Sequence, residues 1–156
     1  MNSTGILGGT PTNTTEIIDL RTAAVTEGPS MTFDRTEFPS LVLPDGDILV
    51  FGGHSQSTEG RRAVERYDVT TGTWSVVGQM AVTRRQHCAD FLSDDEVLIF
   101  GGFYNETAEL YTISTGTSRR VADLPSAANS AVSINPDGRG PSFWGFREGG
   151  ADSDRS

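Results

Sequence analysis

Two histidines, His54 and His87, and two arginine pairs, Arg61-Arg62 and Arg84-Arg85, are the residues whose types and grouping lend themselves to chemistry. Two imidazoles do not make a metal centre without further ligands. No other ligand stands at a matching spacing, so no metal and no other cofactor is expected. There is no Gly-x-Ser-x-Gly elbow, no phosphate-cradling glycine loop and no His-Glu-x-x-His, and the reading is non-catalytic. The arginines offer something different. A guanidinium fork on a rigid frame pairs with a carboxylate through two parallel hydrogen bonds, so these pairs point to recognition of an acidic group. The single Cys88 excludes an intramolecular disulfide framework and a cysteine-based zinc site, and reads as a small buried hydrophobe.

Composition narrows the partners. The 156 residues allow one domain with a proper core. A formal net charge of −9 argues against nucleic acid, whose phosphates demand surplus cations. All twelve cations are arginine and there is no lysine, which fits either a salt-adapted protein or a GC-rich genome. No segment approaches the ~20 apolar residues that cross a bilayer, so no membrane association is expected. The N-terminus, Asn2-Ser3-Thr4, has no basic n-region of a secretory signal, and the default compartment is the cytoplasm.

The elements that must position these groups announce themselves by repetition. Ile48-Leu49-Val50-Phe51-Gly52-Gly53 returns as Val97-Leu98-Ile99-Phe100-Gly101-Gly102. Fainter copies stand at Gly5-Ile6-Leu7-Gly8-Gly9 and Phe146-Arg147-Glu148-Gly149-Gly150. Each apolar run is short and rich in β-formers, so it reads as a buried strand. A doubled glycine at its end calls for positive φ, or for another backbone lying where a Cβ would be. The second glycines are 44, 49 and 48 residues apart. Before the two strong copies come turns, Pro44-Asp45-Gly46 and Asp94-Asp95, and before those another apolar stretch, which makes hairpins. After the glycines come Glu16-Ile17-Ile18, Glu65-Arg66-Tyr67 and Glu109-Leu110-Tyr111, then turns at Thr71-Gly72 and Thr115-Gly116 and fourth strands at 74–77 and 118–121. Four short antiparallel strands in each repeat of this length is the pattern of a propeller blade.

Taken together, Gly52-Gly53, Glu65, Tyr67, Trp74, Met80 and Arg84 resemble a kelch repeat. The resemblance covers essentially the whole chain unequally. It is strongest in the second unit. It is good in the third, where Ser118 stands at the tryptophan position, and weaker in the first, with Ile18 and Val25 in the aromatic slots. It implies an all-β, kelch-type β-propeller of about three four-stranded blades, as a partial propeller or as half of a dimeric ring. Residues 1–138 would be the repeats: strands two to four of one blade over 5–27, blades over 37–77 and 86–121, and the first strand of another at 130–134. Residues 139–156 would be a Gly-, Ser- and Arg-rich tail or a degraded fourth repeat. Three blades do not close readily, so the alternatives are a piece of a larger ring or a homodimer completing six blades.

The resemblance also places the loop after each glycine pair and the link between units on one face near the axis. Kelch adaptors hold acidic peptides with loop arginines, so Arg61, Arg62, Arg84 and Arg85 are the expected acid-pairing groups. His54, His87, Tyr104 and Asn105 share their face, and Tyr104 and Asn105 suit a peptide or sugar platform. Against this, Arg84 or Arg85 would pair with a neighbouring acid such as Glu65 or Asp68, and His87 would cap a strand. Some kelch-type propellers carry a copper-radical site of His and Tyr, for which no matching constellation exists here. Tyr67, Trp74 and Tyr111 are expected in the core. The implied function is non-catalytic binding of a protein or acidic peptide. The alternatives are a carbohydrate-binding or carbohydrate-active propeller of the sialic-acid mutarotase or galactose-oxidase kind, or an incomplete propeller with no function alone.

Overall fold

A computed structural model of the chain describes residues 10–123, 129–134 and 141–146, and every regular element in them is a β-strand. The first sheet pairs β1 (Glu16–Ile18) with β2 (Val25–Glu27). A four-stranded meander follows: β3 (Ser40–Val42), β4 (Ile48–Phe51), β5 (Ala63–Asp68) and β6 (Thr73–Gln79). A second repeats it with β7 (Cys88–Phe91), β8 (Glu96–Phe100), β9 (Thr107–Thr112) and β10 (Thr117–Asp123). A last pair joins β11 (Asn129–Ile134), over the strand expected at 130–134, to β12 (Pro141–Phe146), within the stretch read as tail or degraded repeat. All neighbours are antiparallel and in chain order, so the all-β, bladed architecture expected from the repeats holds. The faint glycine copies at Gly5–Gly9 and Gly149-Gly150 lie outside the described residues.

Alternation along the strands decides what is buried. Leu49 and Phe51 of β4 and Val97 and Ile99 of β8 share one core between the two meanders, with Leu43, Val64, Met80 and Tyr111. Tyr111 meets Phe51 edge-on, ring centroids 5.6 Å apart. Each such side chain contributes about 1.5–3 kcal/mol by leaving water. Tyr67 and Trp74 depart from expectation. They are half-buried and lean on each other at 5.2 Å, because among the described residues only two short, exposed strands precede their sheet. Cys88 is likewise half-buried rather than buried.

The two meanders also touch backbone to backbone. Gln79 N donates to Gly116 O at 3.4 Å and Tyr111 Oη to Val77 O at 3.4 Å. A Cβ at Gly78 would collide with the Gly116 carbonyl and stand 2.5 Å from Tyr111 Oη. Gly78→Ala is therefore expected to push the sheets apart and cost about 1–3 kcal/mol. A thermal melt unchanged from wild type would show that the approach is not this close.

Candidate ligand-binding face

The glycine pairs end β4 and β8 and turn the chain onto one face. Gly52 and Gly53 have φ of 48° and 101°, and Gly101 and Gly102 have 65° and 108°. This is the left-handed region that side chains resist. Room is lacking as well: a Cβ on Gly53 would stand 2.6 Å from Thr36 O, and one on Gly102 would stand 2.8 Å from Arg85 O. The link before each meander crosses under its glycine pair. Thr36 and His54 exchange both backbone hydrogen bonds, at 2.9 and 2.7 Å, and Phe103 N donates to Arg85 O at 2.9 Å. Gly53 N donates to Arg84 O at 2.9 Å and Gln86 N to Glu37 O at 2.9 Å, tying one unit to the next.

Between the loop after β4 and the link before β7 opens a cleft of about 320 Å³, lined by Gly53, His54, Arg61, Thr83, Arg85, Phe103 and the backbone of Arg84. The Arg85 guanidinium lies over the Phe103 ring, 4.0 Å from its centroid, and 3.6 Å from Glu37 Oε2. Cation–π contact and the acid together hold it at the cleft wall while a third of its side chain stays open to solvent. Arg61, which also lines the cleft, is anchored by its Nε donating to Ser55 O at 2.9 Å. His54 is half-buried at the rim. Arg62 is tied back by Nε to Met80 O at 3.0 Å and lies beside the cleft rather than in it.

Three expected site residues serve the frame instead. The Arg84 side chain is fully buried. Its Nε donates to Glu109 Oε1 at 2.7 Å, its Nη1 to Gly101 O and Thr107 O at 2.8 Å each, and its Nη2 to Thr107 Oγ1 at 2.6 Å. Its partner is thus neither Glu65 nor Asp68, because the side chain reaches forward into the following meander. His87 is buried beneath Gly102, and among the described residues both its ring nitrogens are unpartnered, so it caps no strand there. Burial, reinforced by the Arg84 cation, pulls its pKa down to about 3, and the ring is neutral. Asn105 closes its own loop: its Oδ1 accepts from Thr107 N at 3.0 Å and Thr107 Oγ1 at 2.7 Å. Tyr104 is 75 % exposed at the same loop tip, its ring 4.3 Å from Phe103, outside the cleft.

Arg35 escaped sequence reasoning, and Glu109 was read as a repeat marker rather than as the buried partner of Arg84. Arg35 is the counterpart of Arg84: its Nη2 meets Glu65 Oε1 at 2.5 Å and its Nη1 donates to Gly52 O at 2.6 Å, with both side chains of the pair fully buried. Burial pulls the Arg35 pKa below its ordinary value, against the opposing pull of Glu65. The signal was available, since Arg35 and Arg84 each stand 17 residues before the first glycine of a pair. Phe103 was equally legible as the residue that takes the place of His54 after the glycines.

Comparison with known proteins finds the same repeat. Residues 36–81, which span β3 to β6, match the kelch motif. An F-box/kelch-repeat protein of Arabidopsis thaliana is 28% identical over 103 residues, 66% of this chain and 26% of that protein. The match therefore spans about a quarter of the relative's length.

Proposed function

We propose that this chain, whose residues 36–81 match the kelch motif, is a non-catalytic binding module whose loop face takes an acidic segment of a protein partner. The observation that carries the reading is the pair of guanidinium groups in one cleft, Arg61 and Arg85, the latter stacked on Phe103. Two forks on a rigid wall suit carboxylates, and the aromatic ring beside them suits an apolar neighbour in the same segment. Arg62, just outside, adds positive potential, and His54 adds a polar rim. The buried Arg84 contributes only its backbone.

The test is a panel of Asp- and Glu-rich peptides titrated by fluorescence anisotropy. A hydrogen-bonded charge is worth about 1.5–3 kcal/mol. Arg85→Ala and Arg61→Ala are therefore each expected to weaken binding by roughly tenfold or more, and added salt to weaken it further. Binding that ignores both substitutions and salt overturns the reading. Salt-insensitive binding of a neutral saccharide in the same cleft would favour the carbohydrate alternative.

A further inference from the structure

Two Asn-x-Thr tripeptides fall within the described residues, Asn13-Thr14-Thr15 and Asn105-Glu106-Thr107, and the fold treats them in opposite ways. A third, Asn2-Ser3-Thr4, lies outside them. In the first, Asn13 Nδ2 donates to Met31 O at 3.2 Å and Thr15 Oγ1 to Pro29 O at 2.8 Å. Both functional ends of that tripeptide are thus tied into the chain.

In the second, both donors of Thr107, its N and its Oγ1, converge on Asn105 Oδ1 at 3.0 and 2.7 Å. Because the backbone N–H can only donate, the carboxamide orientation is settled: the oxygen faces inward. Arg84 Nη2 donates to Thr107 Oγ1 at 2.6 Å. A guanidinium accepts nothing, so the hydroxyl proton is directed at Asn105. The carboxamide is held by its oxygen alone. Its Nδ2 has no partner among the described residues, and the residue is half-buried. The flanking Tyr104 and Glu106 are exposed, so the approach is open.

We infer that Asn105 is a built acceptor for an N-linked sugar, standing on the loop between β8 and β9 next to the cleft. The co-reactant is a nucleoside-diphosphate sugar. Nδ2 forms a bond to its anomeric carbon, and that carbon's bond to the phosphate oxygen breaks. The nucleoside diphosphate leaves with the electron pair, and Nδ2 gives up one proton to base. Two residues before Asn105 stands Phe103, which lines the cleft where a ligand would bind. The inference does not depend on what that ligand is.

The experiment treats the folded, full chain with UDP-glucose and a soluble asparagine glucosyltransferase of Asn-x-Ser/Thr specificity, read by intact mass and peptide mapping. One hexose is expected on Asn105. It should be lost in Asn105→Gln, kept in Thr107→Ser, and absent from Asn13. No hexose on Asn105 in the folded chain, or equal modification of Asn13, overturns the assignment.

Discussion

Glu109→Ala is expected to destabilise the chain by about 3–5 kcal/mol. The carboxylate is fully buried and accepts from Arg84 Nε at 2.7 Å, from Ala81 N at 2.5 Å and from Ser118 Oγ at 2.5 Å. Removing it leaves a buried guanidinium without its counter-charge, and leaves the link between the meanders without the acceptor that fixes Ala81. The loss comes from stranding Arg84 rather than from the worth of the pair itself. Replacing both partners, as Arg84→Met with Glu109→Leu, should therefore cost clearly less than the single change. Urea denaturation midpoints of the three proteins decide it. A single-variant cost under about 1 kcal/mol is what an exposed pair would give, and would mean that water reaches this one. Glu65, paired with Arg35 in the same buried setting, should respond alike.

Stability should also fall as pH drops from 7 to 5, and His87 is the reason. In the unfolded chain its imidazole titrates near the ordinary value of about 6.5. In the folded chain burial and Arg84 hold it down to about 3. Between those values the unfolded state binds a proton that the folded state refuses. The stabilisation is complete above pH 6.5, declines below it, and levels off near pH 3. The slope is about 1.4 kcal/mol per pH unit, so about 2 kcal/mol is lost by pH 5. Phenylalanine is the informative replacement, because Phe38 lies under Gly53 as His87 lies under Gly102. His87→Phe should flatten the profile over this range and raise stability at pH 7 by removing two unpartnered ring nitrogens. An unchanged pH profile in that variant would show that the ring is solvated.

Repetition made the frame legible. The runs ending in Gly52-Gly53 and Gly101-Gly102 are near copies, and a strand buried on both faces has little freedom to look like anything else. The site was legible only as far as its loops. Arg61, Arg85 and His54 line one cleft. Arg84 does pair with an acid, as one reading of it held, but with Glu109 of the following meander, and His87 is buried; a polar residue in a link reads as surface by default. Nothing in its immediate neighbours separates Arg84 from Arg85; its distance of 17 residues to Gly101, shared by Arg35 and Gly52, does. Asn105 lies outside the cleft, its oxygen engaged by Thr107 two residues on. Trp74 failed because the face it covers depends on the preceding sheet, which no feature of its own segment describes.

In both buried ion pairs the arginine sits in the connection and its glutamate in the sheet that comes next, Arg35 to Glu65 and Arg84 to Glu109. The segment from Thr36 to Arg84 is therefore a cassette with a socket inside and a plug at its end. Tandem duplication of that segment in a gene would hand every new copy a matching neighbour on both sides, and deletion would bring Arg35 up to Glu109 without stranding either charge. Unit number can change by whole cassettes while the chemistry at each junction stays the same.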